Sequence, residues 1–260
     1  MDLGLKDKVA LVAGASKGLG FGVARALARE GAKVSLCSRD ATAVEKAAAQ
    51  IAQETGAAML ATAYDLTQAE AIQDWVNRTV SQWGKIDALL VNAGGPPSAA
   101  FKDLTDAQWQ AAFELLLLSA IRMIRATLPH MGKGSAILVS TSSSIREPIE
   151  KLGLSTVMRS GVAGLVKTLA DELAEDGIRV NNIIPGRIET ERINYLDQAA
   201  ATRQGISVED VRKQSIARIP LKRLGTIDEF GAAAAFLLSP AAQYLTGATL
   251  RVDGGQMRSI

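Results

Sequence analysis

The sequence predicts a doubly wound, mostly parallel α/β sheet of seven strands with helices on both faces. Short runs rich in Val, Ile and Leu alternate with amphipathic stretches along nearly the whole chain, the punctuation of repeated βαβ units. These runs lack strict polar alternation, as befits parallel strands covered on both sides. The first run passes straight into a glycine-rich turn and then a helical pattern.

The strand runs are residues 9–13, 33–37, 59–64, 88–92, 136–140, 179–183 and 249–252. Capping boxes predict three helix starts, because Thr67 precedes Glu70, Thr105 precedes Gln108 and Thr226 precedes Glu229 by three residues. Leu154, Val157, Met158, Val162, Leu165, Val166, Leu169 and Leu173 recur at spacings of three and four, which gives a long helix with one buried stripe ending near Glu175. Residues 187–223 break the rhythm with mixed charge and no strand. Following the sixth strand, they read as a helical excursion or, preferably, a lid over a ligand bound beyond the strand carboxyl ends. With no repeat or linker, 1–260 reads as a single domain.

The chain has 260 residues, 48% apolar and 22% charged, so it can bury a sizeable core and is not a disordered chain. Its densest apolar stretches, 115–118 and 232–238, fall far short of the roughly 18 residues a bilayer demands. With 29 basic against 27 acidic residues, neither nucleic acid nor membrane is an expected partner. The single Cys37 forbids an intramolecular disulfide, and with one His130 no Cys/His zinc site can form; no metal is expected. Asp2, Lys6, Asp7 and Lys8 interrupt the start where a secretory leader would be apolar. The expected location is cytoplasmic.

Gly14, Ser16, Lys17, Gly18, Leu19 and Gly20 lie in the first turn. Glycine lets the backbone approach a pyrophosphate, and the free N–H groups of the following helix favour the anion. The spacing Gly-x-x-x-Gly-x-Gly resembles that of the short-chain dehydrogenase/reductase family, and the likeness extends over nearly the whole chain. Asp65-Leu66 resembles the family's adenine-contacting pair, and Asn92-Ala93-Gly94 its Asn-Ala-Gly motif beside the cofactor. Pro185-Gly186 with Ile188 and Thr190 resembles the segment holding the nicotinamide carboxamide. Leu245-Thr246-Gly247 and Val252-Asp253-Gly254-Gly255 are similar to the family's C-terminal strand region. The resemblance implies a Rossmann-type fold, a pyridine dinucleotide, a small carbonyl or secondary alcohol substrate, and a homodimer or homotetramer. The nearest group is the β-ketoacyl carrier-protein reductases.

An acidic residue after the second strand would bind a ribose 2′-hydroxyl and repel a 2′-phosphate. Here Ser38 and Arg39 follow, and Lys17 lies in the glycine turn, so NADP(H) is expected over NAD(H).

The family's proton-transfer set is altered. By register, its Tyr falls on Ser155, its Lys on Arg159 and its Asn on Leu116, while its Ser is retained as Ser142. Serine lacks phenol acidity, and an arginine, which holds its proton far above neutral pH, stabilises charge but carries protons poorly. Ser142, Ser155 and Arg159 are the candidate catalytic residues, for an oxidoreductase with an atypical site whose proton comes from water. Arg159 is also a candidate for binding a substrate carboxylate, and residues 187–223 carry eight basic against five acidic residues, which tolerates an acidic substrate. Tyr195, Lys151, Glu150 and His130 are alternative proton donors; Tyr64 and Tyr244 read as packing. The alternative function is a dinucleotide-binding sensor or scaffold subunit without turnover.

Overall fold

A computed structural model describes residues 2–259. Its strands are β1 (Val9–Ala13), β2 (Lys33–Ser38), β3 (Met59–Ala63), β4 (Ile86–Val91), β5 (Met131–Ser140), β6 (Arg179–Pro185) and β7 (Thr249–Val252). They form one sheet in the order β3-β2-β1-β4-β5-β6-β7, and every pairing is parallel. Parallel neighbours require crossovers, here provided chiefly by helices α1 (Gly18–Arg29), α2 (Ala41–Thr55), α3 (Ala69–Trp83), α4 (Asp106–Ala112), α5 (Ser119–Thr127), α6 (Gly153–Glu172), α7 (Glu191–Gln204), α8 (Val208–Ala217) and α9 (Ile227–Leu238).

Successive strand residues face opposite sides, and this divides the core in two. Ala10, Val12, Val34, Leu36, Leu90 and Leu138 meet α1, α2 and α9 on one face. Val9, Leu11, Leu89, Val91, Ile137 and Val139 meet α3, α5 and α6 on the other. Both faces are apolar, so the strands read as near-continuous hydrophobic runs.

Several expected boundaries move. β4 begins at Ile86 and β5 at Met131, earlier than their apolar runs, because Ile86 pairs with Met131 before the register shifts to Ala88 with Ala136. The glycines at 132 and 134 hide this extension from a hydrophobic pattern. The boxes at Thr105 and Thr226 form as expected, whereas that at Thr67 does not. Asp65 accepts from both the Thr67 amide at 3.0 Å and its hydroxyl at 2.9 Å, so α3 starts later with Gln68 as an N-cap that makes no side-chain bond. Between α4 and α5 the helix widens to a π turn over Phe113–Leu118. Residues 187–223 contain α7 and α8. Tyr244 is fully exposed, contrary to a packing role.

One polar feature crosses the apolar face of α3. Trp75 is completely buried, and its Nε1 donates to Ser35 Oγ at 2.8 Å; the Thr79 hydroxyl lies 2.8 Å from the same oxygen. Ser35→Ala deletes that acceptor and strands the indole N–H away from water. The expected loss is about 1–3 kcal/mol, measured by urea unfolding; unchanged stability would show that the indole finds another partner.

Candidate active site

The sheet order places β1 between β2 and β4, so the chain steps outward through β2 and β3 on one side, returns to β4 on the other, and leaves a crevice at the strand carboxyl ends where the direction reverses. Gly14 leaves β1 with φ 61°, a left-handed conformation suited to glycine. A Cβ at Gly20 would lie 2.2 Å from the Gly14 carbonyl oxygen, so the turn closes only without a side chain there. Lys17 caps α1 without a side-chain hydrogen bond. The first-turn amides of α1 therefore face the turn without a capping oxygen from Lys17, which fits a pyrophosphate. Leu19 packs on the core beneath.

Neighbouring strand ends brace this turn. The Asn92 amide donates to the carbonyls of Ala13 at 3.2 Å and Gly14 at 3.5 Å. Ser38 donates its hydroxyl proton to Ser16 Oγ at 2.9 Å. Arg39 is exposed and makes no ion pair among the described residues. Lys17 is paired with Glu191 at the start of α7. Asp65 is held in the turn with Thr67, and Leu66 packs on the core. Gly186 donates its N–H to Val252 at 2.9 Å, Ile188 is buried, and Thr190 caps α7 opposite Gly18. The expected nucleotide-binding residues thus gather at one sheet edge, with Gly94 exposed in the loop after β4.

Beside them, Ser142 caps a short 3₁₀ turn after β5 and accepts from the Ser144 amide at 3.2 Å. Ser155 and Arg159, four residues apart on α6, are both buried and share a face. The Arg159 guanidinium donates to the carbonyls of Ser140 at 2.8 Å and Ala93 at 3.0 Å, clamping the ends of β5 and β4. Burial, and then the charge of Arg192, pull its pKa down to about 10. That is below the ordinary arginine range assumed from sequence, yet it leaves a cation at neutral pH. Leu116, buried in the π turn, offers no polar atom.

A family model described as "Enoyl-(Acyl carrier protein) reductase" matches residues 14–257. The chain is also 32% identical over 252 residues to the short-chain dehydrogenase/reductase SDRA of Arabidopsis thaliana, covering 96% of this chain and 95% of the other. It belongs to the short-chain dehydrogenase/reductase family. Among solved structures, L-sorbose reductase from Gluconobacter frateurii, complexed with NADPH and L-sorbose, superposes with a TM-score of 0.94 at 29% identity, covering 100% of both chains. A short-chain oxidoreductase from Pseudomonas aeruginosa PAO1 containing an atypical catalytic center gives 0.90 at 30% identity, covering 99% of this chain and 100% of the other.

Within this family member, the alternative donors lie on separate parts of the fold. His130 precedes β5 and so lies at the amino end of the sheet. Tyr64 donates its hydroxyl proton to Asp74 on α3. Tyr195 is 56% exposed, with the Arg192 guanidinium 5.4 Å above its ring. Lys151, with φ 63°, accepts from the Ala99 amide through its carbonyl, and Glu150 is exposed. Sequence reasoning missed Arg192 itself, which reaches the loop after β4 and donates to Pro96 O at 3.2 Å. Its signal was its position two residues beyond Thr190 in a basic segment.

The helices over this edge are anchored by Asp197. Its buried carboxylate accepts from Arg187 and has Arg212 Nε at 3.6 Å. Asp197→Asn keeps the shape but removes the charge opposite two guanidinium groups. The expected loss is about 1.5–3 kcal/mol, with faster amide hydrogen exchange in α7 and α8. Unaltered exchange there would rule out this anchoring role.

Proposed function

We propose that this family member is an NADP(H)-dependent oxidoreductase that interconverts a carbonyl, ketone-like or 3-oxoacyl, and a secondary alcohol through an atypical site. The observation carrying this reading is the uncapped start of α1 behind β1, flanked by Lys17 and Arg39. Main-chain amides suit the pyrophosphate, and Arg39, which has no ion pair among the described residues, suits a 2′-phosphate, while Lys17 is engaged by Glu191. The NADPH in the L-sorbose reductase structure supports that coenzyme choice. Asn92, Ala93 and Gly94 would flank the nicotinamide end, Pro185, Gly186, Ile188 and Thr190 would hold its carboxamide, and Asp65 and Leu66 would border the adenine.

When bound, NADPH supplies a hydride. Ser142 and Ser155 donate hydrogen bonds to the carbonyl oxygen of the substrate, and cationic Arg159 stabilises the negative charge that develops there. Water supplies the proton, because Arg159 keeps its own well above neutral pH. Positioned acid–base catalysis contributes about 3–5 kcal/mol and alignment of reacting groups about 7–11 kcal/mol. Reduction therefore survives loss of a phenol, at a lower rate.

Helices α7 and α8 serve as the cover of a single-domain enzyme. Val157 on α6 and Leu250 on β7 are exposed apolar residues and support a homodimer or homotetramer, which we place in the cytoplasm.

Single-turnover oxidation of NADPH across a carbonyl panel tests the reading. Ser142→Ala, Ser155→Ala and Arg159→Ala each slow it, and Arg39→Ala weakens NADPH binding about 10- to 100-fold while sparing NADH. Although burial lowers the Arg159 pKa to about 10, the cation still persists at neutral pH, and activity falls as pH rises through about 10. The same lowering means the buried cation opposes folding at neutral pH and is relieved above about pH 10. Equal wild-type affinity for NADPH and NADH overturns the coenzyme assignment; binding with no turnover on any carbonyl favours the sensor.

A further inference from the structure

Most arginines in this chain that approach other charged groups meet carboxylates. Arg25 and Arg29 face Asp228 and Glu54, Arg187 and Arg212 face Asp197, and Arg223 faces Glu229. Arg159 and Arg192 differ. Among the described residues neither has an acidic side chain within ion-pair distance, although Arg159 is buried and Arg192 partly so. Both instead grip one loop: Arg159 donates to Ala93 O at 3.0 Å and Arg192 to Pro96 O at 3.2 Å. Those carbonyls are three residues apart, at most about 10 Å along an extended chain. Two uncompensated cations therefore line the same short stretch beside Ser155.

The loop leaves room for them. A Cβ on Gly95 would stand 2.6 Å from Arg192 Nη2, so this guanidinium occupies space that any side chain would take. The Tyr195 ring supports it from another direction at 5.4 Å. Its single side-chain bond to the loop leaves most of its N–H groups for a ligand.

We propose that Arg192, assisted by Arg159, forms an anion subsite that selects carbonyl substrates bearing a carboxylate, the oxo acids. This rests on the reductase reading above and extends it to substrate class. A carboxylate presents two coplanar oxygens that match the guanidinium fork. A phosphate ester exposes three and draws on clustered main-chain amides, which Pro96 and Pro97 cannot supply.

The test uses 2-oxo and 3-oxo acids of three to six carbons, each with its methyl ester, and dihydroxyacetone phosphate. kcat/KM with NADPH is compared in wild type, Arg192→Gln, Arg192→Lys and Gly95→Ala. The best acid is expected to exceed its ester about tenfold or more, the effect of one charge-assisted hydrogen bond. Arg192→Gln and Gly95→Ala collapse that ratio mainly through KM, and Arg192→Lys restores part of it. In parallel, the acids raise the melting temperature of NADP⁺-loaded wild type but not of Arg192→Gln. Esters reduced as well as acids, with no effect of Arg192→Gln on the ratio, overturn the subsite and leave the reductase intact. A preference for dihydroxyacetone phosphate overturns the carboxylate. If nothing turns over, the reductase reading falls, and acid-dependent stabilisation that needs Arg192 decides the subsite alone; its absence overturns it.

Discussion

Main-chain contact at the carboxyl edge of the sheet is the constraint on which the rest depends. Gly20 lies against the Gly14 carbonyl with no room for a side chain, and Asn92 ties both Ala13 and Gly14 to the end of β4. Because β1, β4 and β5 are parallel and adjacent, their last residues arrive together. The helix start, the Asn-Ala-Gly loop and the serine turn are thereby brought to one edge by hydrogen-bond register, with two apolar faces keeping the strands in place.

On that frame, charge is distributed in two ways. Arginines holding the framework have definite partners: Arg179 donates to the carbonyls of Leu237, Ser239 and Leu245, and Asp197 gathers Arg187 and Arg212. At the crevice Arg39 has no ion pair among the described residues, and Arg159 and Arg192, like Arg179, bond only carbonyl oxygens. Burying a guanidinium without a counterion is unfavourable, and the lowered pKa of Arg159 is the mark of it. Such an arrangement suits an anionic ligand or a reaction that creates negative charge.

The fold was legible because its signals are local. Apolar runs located all seven strands, glycine spacing located the tight turn between β1 and α1, and two of three capping boxes formed. The third was lost to Asp65, a nearer acceptor that the capping pattern ignores. The early start of β5 was hidden by its glycines, and the π turn has no distinctive periodicity. Within the site, Ser155 and Arg159 were singled out by the resemblance to the family's Tyr and Lys positions, and their spacing of four puts them on one face of α6. Arg192 was not, since only the folded chain brings α7 against the loop after β4, and the depressed pKa of Arg159 depends on that three-dimensional burial.

Calorimetric titration with NADPH and NADH tests the central claim most directly, using wild type and Gly20→Ala. Wild type should bind both, NADPH more tightly, and a methyl group placed against the Gly14 oxygen should weaken both together by disturbing the shared pyrophosphate turn. No binding heat from either dinucleotide at any of several temperatures in the folded wild-type protein would contradict it.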